Sequence, residues 1–211
     1  MKALVLSGEN HRFNESAPII HAFLDADSEI DAELVDDKDA LKSLGEYNVC
    51  VLGTGFTRSV KQEDGSVVRM DDLSAEQEKG VFDFVSGGGG LVGVHGTAWW
   101  ISSRAVTLIG GHANWHPPGL TFEVEVDDAE HEITEGVENF EVDDEIYMSA
   151  WDPGIHILAS AAWADKRHPL AWTQPYGQGR VFYTALGHGP GTFEHPMMQR
   201  LVRNGALWAA G

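Results

Sequence analysis

The segment GGGGLVGVHGTAWW, residues 87–100, decides the fold class of this 211-residue chain. Glycines at positions 87–90 open a short apolar run at 91–94, and a tight turn begins at His95. An apolar run of this length, bounded by glycine and a turn, is typical of a buried central strand in a parallel sheet. Open α/β sheets carry their chemistry at the carboxyl ends of their strands, so we expect His95 to project above that edge.

A structural role is the competing interpretation of His95. A histidine that follows a buried strand often does no more than hydrogen-bond a backbone carbonyl, and its position alone favours that role. Further polar residues at the ends of other predicted strands change the balance, because one pocket at the sheet edge would collect them.

The rest of the chain alternates between strand and helix patterns in its first half and between short strands in its second. Strands are predicted at 3–6, 30–35, 49–52, 120–126, 155–159, 170–173 and 180–185, and helices at 15–25, 74–85 and 197–210. In the second of these helices Ser74 caps the N-terminus and Gln77 completes a capping box. The pattern predicts one α/β domain over residues 1–211, with a doubly wound, three-layer, mostly parallel sheet and an antiparallel extension in the second half.

Composition excludes several classes of function. The net charge of -19, from 33 acidic and 14 basic residues, disfavours binding to nucleic acid or to anionic membranes. Dispersed acidic residues are also typical of a salt-adapted, halophilic protein, although an ordinary acidic protein has the same signature.

Residues 1–7 are expected to form a strand rather than a signal peptide, and no apolar run is long enough to span a bilayer, so we expect a cytoplasmic protein. Cys50 lies alone in an apolar strand and is expected to be a core thiol.

Four predicted strand exits bring glycine and polar side chains to one edge of the sheet. They include His11, Gly55, His95 and His188. Glycines at such exits let a ligand approach the backbone and supply N–H donors. Structural and functional roles are equally supported for His11, whereas the flanking glycines favour a functional role for His188.

Two further segments are expected to close over that edge. The loop at 110–119 is polar and aromatic, contains His116, and is longer than a minimal connection. In the predicted strand around residues 143–147, Asp143 and Asp144 are expected to face water. Glu145 lies in phase with Tyr147 and on the opposite face from Asp144, which makes it the candidate functional carboxylate.

Taken together, the motifs resemble those of the ThuA-like (trehalose utilisation) family, within the class I glutamine amidotransferase-like superfamily. The motifs are GENH at 8–11, VGVHG at 92–96, LIGG at 108–111 with HP at 116–117, DEIY at 144–147 and YGQGRVFYTALGH at 176–188. This resemblance covers nearly the whole chain. It implies a flavodoxin-like, three-layer fold and a role in the metabolism of disaccharides, including keto-sugars.

Comparison with glutaminases of that superfamily argues against glutamine hydrolysis. Those enzymes carry a cysteine at the strand-to-helix turn where this chain has His95, so the acyl-enzyme route is closed. His188 resembles their catalytic histidine in position, but Gly189 and Pro190 follow it in place of Pro-Glu. Cys50 lies within a strand and cannot replace the missing nucleophile.

Three interpretations of the site remain open, two of them enzymatic. In the first, His95, Glu145 and His188 are general acid and base groups acting on a sugar-like ligand. The residues expected to bind that ligand are His11, Phe13, Gly55, Trp99 and His116; Trp100 and Trp115 are further candidate aromatic faces, although tryptophan is more often a core residue.

In the second interpretation the imidazoles bind a divalent metal such as zinc, which would activate water or polarise a carbonyl oxygen. The ligands would be His11, His95, His116 and His188, with Glu145 beside them. The sequence has no ligand pair one helical turn apart on a helix, which argues against this version. The third interpretation is a sugar- or metabolite-binding module without catalysis. A homo-oligomer is compatible with each of the three.

Overall fold

A computed structural model describes residues 1–211 of the chain. Its strands are β1 (Lys2–Leu6), β2 (Asp31–Val35), β3 (Val49–Leu52), β4 (Thr57–Lys61), β5 (Val67–Asp71), β6 (Gly90–Val94), β7 (Gly111–Trp115), β8 (Leu120–Val126), β9 (Phe140–Asp144), β10 (Met148–Trp151), β11 (His156–Trp163), β12 (Lys166–Tyr176) and β13 (Gly179–Thr184). Its helices are α1 (Phe13–Asp25), α2 (Ala75–Ser86), α3 (Ser103–Ile109), α4 (Pro190–Glu194) and α5 (Pro196–Ala210). None of the helices combines the length and the apolar character needed to cross a bilayer.

Nine strands form the main sheet in the order β2-β1-β3-β6-β13-β12-β11-β8-β9. The first five are parallel, and the remaining four continue the sheet by antiparallel pairing. The parallel half has the flavodoxin-like order, in which the strand sequence reverses beside β1. The predicted fold class, a mostly parallel α/β sheet with an antiparallel extension, is therefore confirmed.

Local sequence explains the central elements. Every residue of β3 and β6 is buried, as expected for strands covered by helices on both faces. Helix α2 begins with the predicted capping box, in which Ser74 accepts from the backbone N–H of Gln77 and Gln77 returns a bond to the backbone of Ser74. Each of the predicted strands and helices is present, with ends that shift by one or two residues in most cases.

Three β-ribbons depart from the sequence expectation. Strands β11 and β12 are longer than predicted, and they are joined by a turn in which Ala164 and Asp165 both have positive φ, a conformation that is uncommon for alanine. The polar segment expected to be a loop contains the hairpin β4–β5, whose residues are mostly exposed. The expected loop at 110–119 contains β7, which pairs with β10 outside the main sheet.

Candidate functional site

His95 lies at the carboxyl end of β6, where the chain turns sharply. Its φ of 38° is in the left-handed region, which is uncommon for a residue other than glycine and is found where surrounding structure imposes it. The side chain is fully buried, and its Nδ1 lies 2.7 Å from the carbonyl oxygen of Ala185. A carbonyl only accepts hydrogen bonds, so Nδ1 carries the proton and the lone pair of Nε2 points into the site.

His11 and His188 approach the same space from distant parts of the chain. The ring centroid of His95 is 5.1 Å from that of His11 and 5.3 Å from that of His188, both in edge-on geometry. One nitrogen from each of the three rings lies within 4.8 Å of the others. The ends of β1 and β13 thus bring His11 and His188 to His95 at the end of β6, as the strand-exit argument predicts.

Glu145 completes this group of histidines with a carboxylate. Its Oε1 lies 3.3 Å from Nδ1 of His116, and its Oε2 lies 3.2 Å from Nδ1 of His188 and 3.6 Å from Nε2 of His95. The residue follows the last residue of β9 directly, rather than lying within a strand as expected. We call His11, His95, His116, Glu145 and His188 the histidine cluster.

Tyr147 packs directly against the histidine cluster. Its hydroxyl oxygen is 2.5 Å from Nε2 of His95, and since that nitrogen has no proton the hydroxyl donates. Trp99 packs edge-on against Tyr147 and His116, with centroids 5.7 and 6.1 Å away, and forms one wall of the site. Sequence reasoning used Tyr147 only to set the phase of Glu145, so its contact with His95 is a finding of the structure.

Asp144 corrects the expectation that it faces water. It is buried, and its carboxylate accepts hydrogen bonds from the backbone N–H of Gly187 at 2.7 Å and of His188 at 3.2 Å. The hydroxyl of Thr192 and the N–H of Glu145 also donate to it, at 2.7 and 2.8 Å. Burial raises the pKa of this carboxyl, and the four donors act in the opposite direction. Asp143 is exposed, as expected.

Burial keeps two of the imidazoles in the neutral form. It lowers the pKa of His11 to about 4, with further lowering by electrostatic interaction with His188, Arg69 and His116. Burial also holds the pKa of His95 well below its ordinary value. For Glu145, burial raises the pKa, and the neighbouring His188 and His116 oppose that shift. At neutral pH the rings of His11 and His95 are therefore lone-pair donors rather than cations.

Among the candidate ligand-binding aromatic residues, Phe13 is a core residue and the expectation for it was wrong. It is 1% exposed, and its ring fills the space that a side chain at position 53 would need, since a Cβ on Gly53 would lie 2.1 Å from it. Trp100 is equally buried, against Phe56 and Phe82. Trp115 is 55% exposed and packs against Trp163.

Two glycines permit the close approach of His11. A Cβ on Gly55 would lie 3.0 Å from the carbonyl oxygen of Gly96 and 3.6 Å from Nε2 of His11. A Cβ on Gly96 would lie 2.5 Å from Cδ2 of His11 and 2.6 Å from the carbonyl oxygen of Gly53. The predicted site residue Gly55 thus lies against the histidine cluster and supplies space rather than a functional group.

Two cavities reach the histidine cluster. The larger, of about 730 Å³, lies over the ends of β1, β2 and β3 and is lined in part by His11. The smaller, of about 380 Å³, is lined in part by Glu145 and His188. Both volumes are in the range of small-molecule sites.

A family model described as ThuA, trehalose utilisation, matches residues 2–209 of the chain. Among curated proteins, none matches it. Of the solved structures, a ThuA-like protein of Parabacteroides merdae is 19% identical with a TM-score of 0.79, and the match covers 99% of this chain and 89% of that one. A ThuA-like protein of Bacteroides uniformis is 22% identical with a TM-score of 0.73, covering 100% and 91%.

A protein of Salmonella typhimurium described as cytoplasmic is 12% identical with a TM-score of 0.71, and the match covers 99% of each chain. At these identities the three structures establish a shared fold.

Proposed function

Since this chain belongs to the ThuA family, whose description is trehalose utilisation, we propose that it is an enzyme that acts on a disaccharide or a keto-sugar. Its reacting centre is the histidine cluster, in which His11, His95 and His188 hold a divalent metal ion such as zinc. Glu145 and His116 act beside that ion on protons of the substrate or of water.

The convergence of three imidazole nitrogens within 4.8 Å carries this proposal. Ligands of a tetrahedral zinc ion, with bonds of about 2.1 Å, lie about 3.4 Å apart, so ring movements of about 1 Å would complete the site. The hydrogen bond from Nδ1 of His95 to Ala185 fixes the tautomer that presents Nε2, which is the outer support that metal-binding histidines have.

The electrostatics of the histidine cluster also suit a cation. Metal ligands must be deprotonated, and burial holds the pKa of both His11 and His95 low enough to meet that condition at neutral pH. The buried carboxylate of Glu145 lies beside three imidazoles and has no Lys or Arg ion-pair partner, so a divalent ion would balance its charge.

A bound ion would supply Lewis acidity that polarises a carbonyl or hydroxyl oxygen of the sugar. The protein's own groups then have separate tasks. Glu145 is placed to take a proton from water or from a sugar carbon or hydroxyl, and His116, exposed on one side, is placed to pass that proton to solvent. Tyr147, which is buried, and Trp99 pack together and cover one side of the site.

A metal-free acid–base enzyme is the second candidate, and the hydrogen bond from Tyr147 to Nε2 of His95 favours it. In that arrangement the lone pair of His95 is already occupied, and His188 and Glu145 carry the proton transfers. The two candidates differ in whether turnover needs a metal. A sugar-binding module without catalysis, on the same fold, would show ligand binding and no turnover.

The test is turnover of trehalose and of its keto derivatives by chelator-treated protein, before and after addition of zinc, cobalt or manganese, with products resolved by chromatography. We expect turnover only after metal addition, and a loss of at least roughly 100-fold in H95A. The control is H156A, which removes an exposed histidine that pairs with Asp128 outside the histidine cluster. Equal turnover with and without metal would support the acid–base enzyme, and ligand binding with no turnover would support the module.

A further inference from the structure

The larger cavity lies where open α/β sheets bind their ligands. It covers the carboxyl ends of β1, β2 and β3, beside the point where the strand order reverses, and the hairpin β4–β5 forms its outer wall. His11 lines this cavity and also belongs to the histidine cluster. A ligand in the cavity therefore lies next to the proposed reacting centre.

The lining of this cavity suits a polyol. Of its 14 residues only Phe56 is hydrophobic, and the rest include the hydroxyl groups of Ser7, Thr54 and Ser59. Hydroxyl and carboxylate side chains exchange hydrogen bonds with sugar hydroxyls, whereas a lining of this kind offers little to an apolar ligand.

The hairpin wall is fixed at its base. The side-chain amide of Asn10 donates to the carbonyl oxygen of Thr57 at 3.0 Å, and the hydroxyl of Thr57 donates back to the amide oxygen of Asn10 at 3.0 Å. Directly after the other strand, β5, Asp72 forms an ion pair with Lys38 at 2.5 Å. Side chains near this base are thus held in place before a ligand binds.

Arg69 projects from the hairpin face that borders the cavity. It pairs in register with Ser59, which lies two residues after Thr57, so the three side chains share one face of the ribbon. That face is the one from which Thr57 reaches Asn10, a residue of the cavity. Arg58 also borders the cavity, but it pairs with Met70, so its side chain starts from the opposite face of the ribbon.

The positive charge of Arg69 has no partner within the protein. The chain has 33 acidic residues, and Lys38 in the same cavity is paired with Asp72, yet no carboxylate lies within ion-pairing distance of Arg69. The charge of Arg69 is also one cause of the lowered pKa of His11, so it acts on the space that the cluster shares with the cavity.

We propose that Arg69 binds an oxyanion of the substrate, so that among sugars of the proposed class those bearing a carboxylate or a phosphate bind preferentially. The guanidinium group matches both anions in a two-bond arrangement. The carboxylates of Glu9 and Asp36, elsewhere on the lining, then accept hydrogen bonds from sugar hydroxyls. This inference rests on the proposed function, because it takes the cavity to hold the substrate of the histidine cluster.

Calorimetric titration with glucose 6-phosphate, glucuronate and glucose tests the proposal at one fixed ionic strength. We expect at least one charged sugar to bind wild-type protein 10-fold or more tightly than glucose, and which of them does so identifies the anion. In R69Q that preference disappears, and in R69K it is reduced, because lysine keeps the charge and loses the planar fork. The matched control is K61Q, which removes a charge from the same hairpin at a residue that does not line the cavity.

Three results would overturn the proposal: glucose binding as tightly as both charged sugars, K61Q weakening binding as much as R69Q, or no binding of any probe at about 10 mM. Because these titrations measure binding alone, Arg69-dependent binding without turnover would overturn the proposed reaction and leave this subsite standing. Metal-dependent turnover of neutral sugars that R69Q does not change would support the proposed reaction and overturn the Arg69 subsite.

Discussion

The carboxylate of Asp144 accepts a hydrogen bond from the backbone N–H of His188 at 3.2 Å, which joins the end of β9 to the turn after β13. The same carboxylate accepts from the N–H of Glu145 at 2.8 Å. One buried side chain thus fixes the backbone of two members of the histidine cluster that are 43 residues apart in sequence. Asp144 is a positioning residue, because its carboxylate bonds to backbone N–H groups and to the hydroxyl of Thr192 rather than to an imidazole nitrogen of the histidine cluster. It therefore acts through its neighbours.

Replacing Asp144 with Asn should loosen this junction. An amide group turns one accepting oxygen into a donor, which then faces N–H or O–H groups that already donate. We expect the free energy of unfolding to fall by about 1–3 kcal/mol and zinc affinity to fall about 10- to 100-fold. Chemical denaturation and zinc titration measure the two effects. D143N, at the exposed neighbour, should change neither; an effect as large as that of D144N would contradict the positioning role.

Tyr147 and Tyr183 allow the two sides of His95 to be compared. Tyr147 donates to the ring nitrogen, whereas Tyr183 donates to the backbone carbonyl oxygen at 2.9 Å. Y147F removes the competitor for the lone pair, so we expect zinc affinity to be retained or increased. Y183F should lower the free energy of unfolding by about 1 kcal/mol and leave zinc affinity unchanged. Loss of zinc binding in Y147F alone would show that the phenol is required for it.

Gly96 provides a steric test of the place of His11. The Cβ of G96A would lie 2.5 Å from the ring of His11, so the ring must move away from His95. We expect a loss of about 1–3 kcal/mol in the free energy of unfolding, together with a clear loss of zinc binding. G45A is the control, because nothing lies within 4 Å of a Cβ at that position. Unchanged zinc affinity in G96A would show that His11 is not a ligand.

Cys50 tests the conclusion that no thiol takes part in the reaction. It is fully buried in β3, and burial raises the pKa of its thiol far above neutrality. We expect no reaction with a thiol reagent in the folded protein, full reaction after denaturation, and unchanged turnover in C50A. Fast labelling of the native protein, with loss of activity, would restore a thiol mechanism.

The sequence predicted the structure correctly where the residue type and the hydrophobic pattern indicated the same position. Glycines followed by an apolar run identify β6 and place His95 at its end, and alternation selects Glu145 through its phase with Tyr147. The expectation that Asp144 faces water was wrong, although within β9 it lies in phase with the buried residues Phe140 and Val142. Strand β9 ends at Asp144, so the next residue, Glu145, does not continue the alternation and is buried as well. Asp144 lies against the turn after β13, and Glu145 lies in the histidine cluster.

Tertiary packing decides what the pattern alone does not show. Phe13 lies next to a predicted site residue in sequence but fills the space above Gly53, which only the three-dimensional arrangement reveals. The hairpin β4–β5 is polar and exposed, so its strands show no alternation of buried and exposed residues, and nothing in the sequence pattern distinguishes Arg69. Its register with Ser59 is what turns it toward the cavity.

Zinc titration of chelator-treated protein, with anomalous diffraction at the zinc edge from the loaded crystals, tests the central claim most directly. The account predicts one ion per chain, with the density peak in contact with the rings of His11, His95 and His188, and affinity reduced at least roughly 100-fold in H95A. Absence of a peak at these rings, or unchanged affinity in H95A, would contradict it.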